Sequence, residues 1–113
     1  MKTDKDRFDE LIIACQKCNR MTQYANETLQ HGRKKGFEKN DYWCKPVPSF
    51  GSLNSEILIV GLAPGKHGAG RTGRPFTGDY AGEILYKALY QSNLASSANA
   101  VSLDDGLKLK NVR

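Results

Sequence analysis

Residues 56–79 read EILIVGLAPGKHGAGRTGRPFTGD, and they decide the fold. Ile57, Leu58, Ile59 and Val60 form a short continuous apolar run, partly β-branched, which is the pattern of a parallel strand buried on both faces. The run feeds directly into Gly61 and a loop built mostly of glycine, proline and small residues. Glycine lets such a loop turn tightly and bring peptide N–H groups close to a ligand, while Pro64 and Pro75 stiffen the path. Lys66, His67, Arg71 and Arg74 add positive charge, which suits an anionic or electron-rich ligand edge. Flexible linkers are Ser- or Pro-rich and have no apolar strand feeding them, so this layout points to a small-ligand site. Downstream, Gly82 to Tyr90 places Ile84, Leu85, Ala88 and Leu89 on one stripe and predicts a helix packed back on the strand. Strand, loop and helix make a βα unit of an α/β fold, which needs further parallel strands to bury both faces.

Working outward, Thr3 or Asp4 can cap a first helix on which Phe8, Leu11, Ile12, Cys15 and Cys18 fall at helical spacing, predicting that both thiols face inward. Tyr24 to Asn40 is polar and basic, with Arg33, Lys34, Lys35 and Lys39, and reads as a second solvated helix or a DNA-facing surface. Asp41 to Leu53 carries two prolines and the aromatic trio Tyr42, Trp43 and Phe50, the mark of an ordered, packed loop. Gln91 to Gly106 is a Ser/Asn/Asp-rich connection, and Leu107 to Arg113 has the look of a second strand beginning. The 113 residues suit one small domain, with 26% charged residues and a net charge of +5 that favours a polyanionic partner. No apolar run of ~20 residues and no leader pattern is visible, so a cytoplasmic location and no membrane partner are expected. Three cysteines in such a chain argue against a disulfide framework and leave a metal, a cluster or free thiols.

Three segments, in order, carry a resemblance to a known family: Cys15-x-x-Cys18, the lead-in YWCKPVPSFG at 42–51, and GLAPG, HGA and RTGRPFTGD within 61–79. Together they resemble uracil-DNA glycosylases of the iron-sulfur type, in their type-5 branch; the type-4 branch has an acidic residue where Leu62 stands here. The resemblance implies a three-layer α/β/α fold with a central parallel sheet, of which residues 1–113 look like the N-terminal part of a single domain. Within it, 1–55 supplies the cluster-ligand helix and lead-in loop, and 56–113 the first strand, active-site loop, helix and start of the next strand. The catalytic asparagine, two further cluster cysteines and histidine motif that the family carries later are not in this sequence, so the chain looks truncated and inactive by itself.

Excision of uracil requires the base to be flipped from the DNA stack into a pocket that holds its face and its edges. The resemblance makes Phe76 the stacking face, and the backbone around Gly61, Leu62, Ala63 and Gly65 the edge contacts. His67 is expected to line the pocket or donate to a phosphate, and Arg71 and Arg74 to contact DNA phosphates. Cleavage of the glycosidic bond builds positive charge on the sugar, and the resemblance assigns Asp79 to positioning the water and steadying that sugar. Asp79 alternatively caps the helix that follows, and one side chain is not expected to do both. Gly70 departs from the asparagine usual in this branch, which bears on the range of bases accepted.

Cys-x-x-Cys alone is shared by zinc sites, redox pairs and iron-sulfur ligands. The resemblance implies a 4Fe-4S cluster with Cys15 and Cys18 as two of four ligands, and Cys44 a packed thiol. A monomer acting on uracil-containing DNA is the expectation. Two other readings stay open: a non-catalytic phosphate- or nucleotide-binding α/β unit, and a zinc-dependent nucleic-acid-binding module drawing on Cys15, Cys18, His31 and Cys44.

Overall fold

A computed structural model describes residues 1–113. Four helices occur in the order α1 (Asp4–Ile13), α2 (Asn19–His31), α3 (Ala69–Thr72) and α4 (Tyr80–Gln91). Thr3 starts α1 through a reciprocal capping box: its hydroxyl accepts from the Asp6 amide at 3.1 Å, and the Asp6 carboxylate accepts from the Thr3 amide at 2.9 Å. Those Thr3 bonds hold the Asp6 carboxyl below its ordinary range. The helix stops at Ile13 and buries no residue, with Leu11 75% exposed. Cys15 and Cys18 therefore lie beyond it, exposed, in the turn to α2, where Cys18 occupies the N-cap position. The expectation of two inward-facing thiols on α1 fails because the helical period does not continue past Ala14.

The core forms around α4. Tyr86, Leu89, Leu107 and Val112 are buried together, with Phe50, Ile59, Phe76, Leu85, Leu94 and Leu109 packed against them. Burying a Leu or Val side chain stabilises by about 1.5–3 kcal/mol, so this cluster between α4 and residues 94–113 is the main apolar support of the site. Of the predicted stripe, Leu85 and Leu89 face the core, whereas Ile84 is 55% exposed and Tyr86 takes the inward position.

Parallel pairing is present in minimal form. Ile57 bridges Val112 in parallel, with Ile57 N–H to the Asn111 carbonyl at 3.3 Å, Arg113 N–H to the Ile57 carbonyl at 2.9 Å and Ile59 N–H to the Arg113 carbonyl at 2.7 Å. A second, antiparallel bridge joins Ala95 to Leu109. No continuous sheet and no three layers form among these residues. Only Ile59 of the apolar run packs on the core, while Leu58 and Val60 stay 67% and 81% exposed, because α4 covers one side of the pair and nothing covers the other. Burial on both faces is thus not realised.

Candidate active site

The loop from Gly61 to Asp79 is folded on itself by its own side chains. A single turn, α3, is nucleated where the Gly65 carbonyl accepts from Gly68 at 3.2 Å and Gly70 at 2.8 Å. Arg71 then ties the two limbs, donating Nε–H to the His67 carbonyl at 2.6 Å and Nη2–H to the Gly78 carbonyl at 3.0 Å, with its guanidinium 4.4 Å from the Phe37 ring centroid. Thr72 adds a bridge, its hydroxyl lying 3.1 Å from the Gly68 carbonyl and 2.9 Å from that of Thr77. The lead-in segment docks on the same turn: Trp43 and Cys44 donate their amides to the Arg71 and Gly70 carbonyls, both at 2.9 Å. Gly73, at φ +84°, is required there, since a Cβ would stand 2.6 Å from the Trp43 ring.

This closure brings Asp79 against the first half of the loop. Its Oδ1 caps α4, accepting from the Gly82 amide at 3.1 Å. The other oxygen, Oδ2, faces the opposite way, so close to the loop that a Cβ on Gly68 would lie 2.2 Å from it and one on Gly65 2.9 Å. The cap uses one oxygen of the carboxylate and leaves the other against the glycine turn. The predicted helix start near Gly82 also moves, to Tyr80.

Phe76 adopts φ +52°, a left-handed conformation rare for a bulky residue, of the strained kind that clusters at functional sites. Its ring edge lies where a Gly61 side chain would be, 2.6 Å from the Cβ position, and its inner side joins the core around Tyr86. The Tyr86 hydroxyl anchors this turn, donating to the Pro75 carbonyl at 2.6 Å, and burial pushes that phenol up. Leu62 and Ala63 are exposed, and their amides make no hydrogen bond within the chain. The His67 ring turns to the lead-in segment, its Nδ1 at 2.9 Å from the Tyr42 hydroxyl.

Arg74 is not presented to solvent. It is 2% exposed and forms a bidentate pair with Asp105, Nη1 to Oδ1 at 2.7 Å and Nη2 to Oδ2 at 2.8 Å, while Nε–H donates to the Thr77 hydroxyl at 3.0 Å. The rings of Phe50 and Tyr86 flank its guanidinium. Arg74 above all, then the Val101, Leu107 and Ser102 amides, hold the Asp105 carboxyl far below the usual carboxylate range. A buried, fully paired guanidinium cannot also neutralise a DNA phosphate, so that expectation for Arg74 gives way to a structural role. Arg71 remains half-buried and committed to two loop carbonyls. Asp105, Thr77 and Tyr42 were not foreseen; the aromatic trio flagged Tyr42 as packed, but no local pattern links partners 25 and 31 residues apart.

Behind the loop lies a cavity of about 570 Å³ whose wall includes Cys15, Cys18, Cys44, Pro64, Lys66 and Gly70. Cys15 and Cys18 are free thiols on one wall, a donor pair whose chemistry fits two positions of an iron-sulfur cluster. No three potential metal ligands come together, so the zinc set of Cys15, Cys18, His31 and Cys44 is not assembled. Cys44 is half-buried, and desolvation pushes its thiol up, as befits a packed cysteine. No helix is long and apolar enough to cross a membrane.

The glycine loop closed by Arg71, with the Phe76 ring and the Asp79 carboxylate on its far limb, lies within the stretch that matches a known family. Residues 48–111, more than half of the chain and including the whole loop, match the uracil DNA glycosylase superfamily, and the chain belongs to it. Among its curated relatives is the type-5 uracil-DNA glycosylase of Thermus thermophilus, 43% identical over 102 residues that cover 90% of this chain and 46% of the relative. The type-5 uracil-DNA glycosylase of Mycobacterium tuberculosis is 42% identical over 106 residues, 94% of this chain and 39% of its own length. That of Pyrobaculum aerophilum is 40% identical over 105 residues, 93% and 45% respectively. The chain thus spans less than half the length of these relatives.

Proposed function

We propose that this chain is the uracil-reading part of a type-5 uracil-DNA glycosylase, a base-excision-repair enzyme that hydrolyses the N-glycosidic bond of deoxyuridine in DNA. The observation that carries the reading is the position of Asp79 Oδ2 over Gly65 and Gly68, facing the loop whose Leu62 and Ala63 amides are free. In the reaction, water attacks C1′ of the flipped nucleotide, the C1′–N1 bond breaks and uracil leaves with the bonding electron pair. Asp79 Oδ2 orients that water and takes its proton, and its negative charge steadies the oxocarbenium-like sugar. Phe76 stacks on the base, and the loop amides donate to its edge as negative charge grows there. Gly70, where asparagine is usual, removes one polar side chain from the loop and so one means of selecting among deaminated bases.

A 4Fe-4S cluster is part of this reading, held in part by Cys15 and Cys18, and when bound it supplies a structural staple between the α1–α2 turn and the rest of the domain. The reading also includes a three-layer α/β/α domain of which residues 1–55 and 56–113 form the first part, a monomer, and a cytoplasmic location. By themselves, the 113 residues excise little uracil, because the remaining donors of the site lie outside them. A phosphate-binding α/β unit is the weaker reading: the N-terminus of α4, where an anion would sit, is already occupied by the carboxylate of Asp79.

The test is a chimera in which these residues replace the matching 46% of the Thermus thermophilus relative. Excision is followed by alkaline cleavage of abasic sites in uracil-containing single strands and duplexes. Cleavage by the chimera, and none by the 113-residue chain, is expected. A folded chimera without activity, or a fully active isolated chain, would overturn the proposal.

A further inference from the structure

Tyr42 is 5% exposed, yet its hydroxyl has two partners from distant parts of the chain: the Lys34 amide and His67 Nδ1, each at 2.9 Å. The amide can only donate, so the phenol oxygen accepts from Lys34. If His67 also donated through Nδ1–H, the buried phenolic proton would have no acceptor, and an unpaired buried donor is the costlier arrangement. The phenol therefore donates to Nδ1. The imidazole then carries its one proton on Nε2, which has no partner in the chain and is not sealed from solvent. The ring is held edge-on to Tyr42, with centroids 5.9 Å apart at 81°.

We propose that Tyr42 is a positioning residue for His67, fixing a neutral imidazole whose Nε2–H is offered to an acceptor oxygen of the bound DNA. The surroundings agree: burial first, then the positive charges of Lys66, Lys34 and Arg71, hold His67 below its ordinary value, and Arg33 lies over the outer face of Tyr42. No carboxylate opposes these charges in setting the His67 titration. A neutral donor within a cationic patch receives an anionic or carbonyl oxygen without competing for a proton, and that oxygen in turn favours protonation of the ring. Only the identity of the ligand rests on the proposed function; the tautomer follows from the hydrogen bonds alone.

The experiment is long-range proton–nitrogen NMR on the two imidazoles of the ¹⁵N-labelled chain. At neutral pH, His67 Nδ1 is expected to show the unprotonated signature and Nε2 the protonated one. In Tyr42→Phe the His67 titration midpoint should rise by about one pH unit, the effect of losing one hydrogen bond to the neutral form. A protonated Nδ1 in the wild-type chain overturns the proposal even if Tyr42→Phe does not fold; so does a folded variant with an unchanged midpoint. An oligonucleotide with an abasic analogue, and free uracil, distinguish phosphate from base as the acceptor. Movement of Nε2 with either supports the contact, and no movement with these or with a uracil-containing strand overturns it. The chimera's excision assay is independent of all these readouts, so failure of the glycosylase reading and failure of this pair are distinguishable.

Discussion

The division of labour within Asp79 can be taken apart by comparing two substitutions. Asp79 Oδ1 caps α4, the helix that places Tyr86 and Leu89 in the core, whereas Oδ2 faces the glycine turn. Asparagine retains an oxygen for the Gly82 amide but loses the charge; alanine loses both. Replacing an N-cap Asp by Ala costs about 1 kcal/mol, and Asn caps as well as Asp. In a domain of this size about 1 kcal/mol lowers Tm by roughly 4–8 °C. Asp79→Ala should therefore melt several degrees below the parent chain by circular dichroism, and Asp79→Asn close to it. In the chimera, both should lose about 10²- to 10⁴-fold in single-turnover excision, the usual contribution of a positioned general base. Near-parental excision by Asp79→Asn would refute the catalytic assignment and leave Asp79 as a helix cap. An unchanged Tm in Asp79→Ala would show instead that the cap contributes nothing.

Three further outcomes are expected. Asp105→Asn leaves the Arg74 guanidinium buried without its counter-charge, a change that costs about 3–5 kcal/mol, and urea titration should register it. Because folding depresses the Asp105 carboxyl, its contribution is complete above the ordinary value of 3.8 and drains away as pH falls below it, so acid should unfold the parent chain progressively and Asp105→Asn with a flatter profile. Gly61→Ala should keep the fold while displacing the Phe76 ring, whose Cζ stands 2.6 Å from the new Cβ, and fluorescence anisotropy should show weaker binding of uracil-containing DNA by the chimera. In the same chimera, Cys15→Ser or Cys18→Ser should abolish the visible absorption and acid-labile sulfide of the purified protein, and Cys44→Ser should preserve both.

What could be read from the residues was local. The loop's sequence announced a turn-rich segment, Thr3 was one of the two caps it offered for the first helix, and of the stripe 84, 85, 88 and 89 only Leu85 and Leu89 belong to the face that α4 buries. Features that depend on partners distant in sequence were not readable. Arg74 looked like a surface cation beside Arg71, and only the fold brings Asp105 within 2.7 Å and encloses the pair between Phe50 and Tyr86. Likewise the run 57–60 has the composition of a strand buried on both faces, but composition states what a segment can bury, not what stands beside it. The cysteines show the same limit: Cys-x-x-Cys is compatible with a helix, yet the helix ends before it and Cys18 starts the next one.

These misses share a physical consequence for the site. Arg74, withdrawn from solvent, holds Thr77 through Nε, and Thr77, wholly buried, offers its carbonyl to Thr72 on the opposite limb of the loop. Phe76 and Asp79 lie on either side of this link, so a buried ion pair braces the segment that carries the left-handed backbone of Phe76 and the Asp79 cap. Two basic residues of this loop thus serve to shape it, Arg71 tying its limbs and Arg74 anchoring its far end, while Lys34, Lys35, Lys39 and Lys45 stand exposed. Neutralising those four lysines should weaken DNA binding and reduce its salt dependence without changing Tm, whereas neutralising Arg71 should loosen the loop itself.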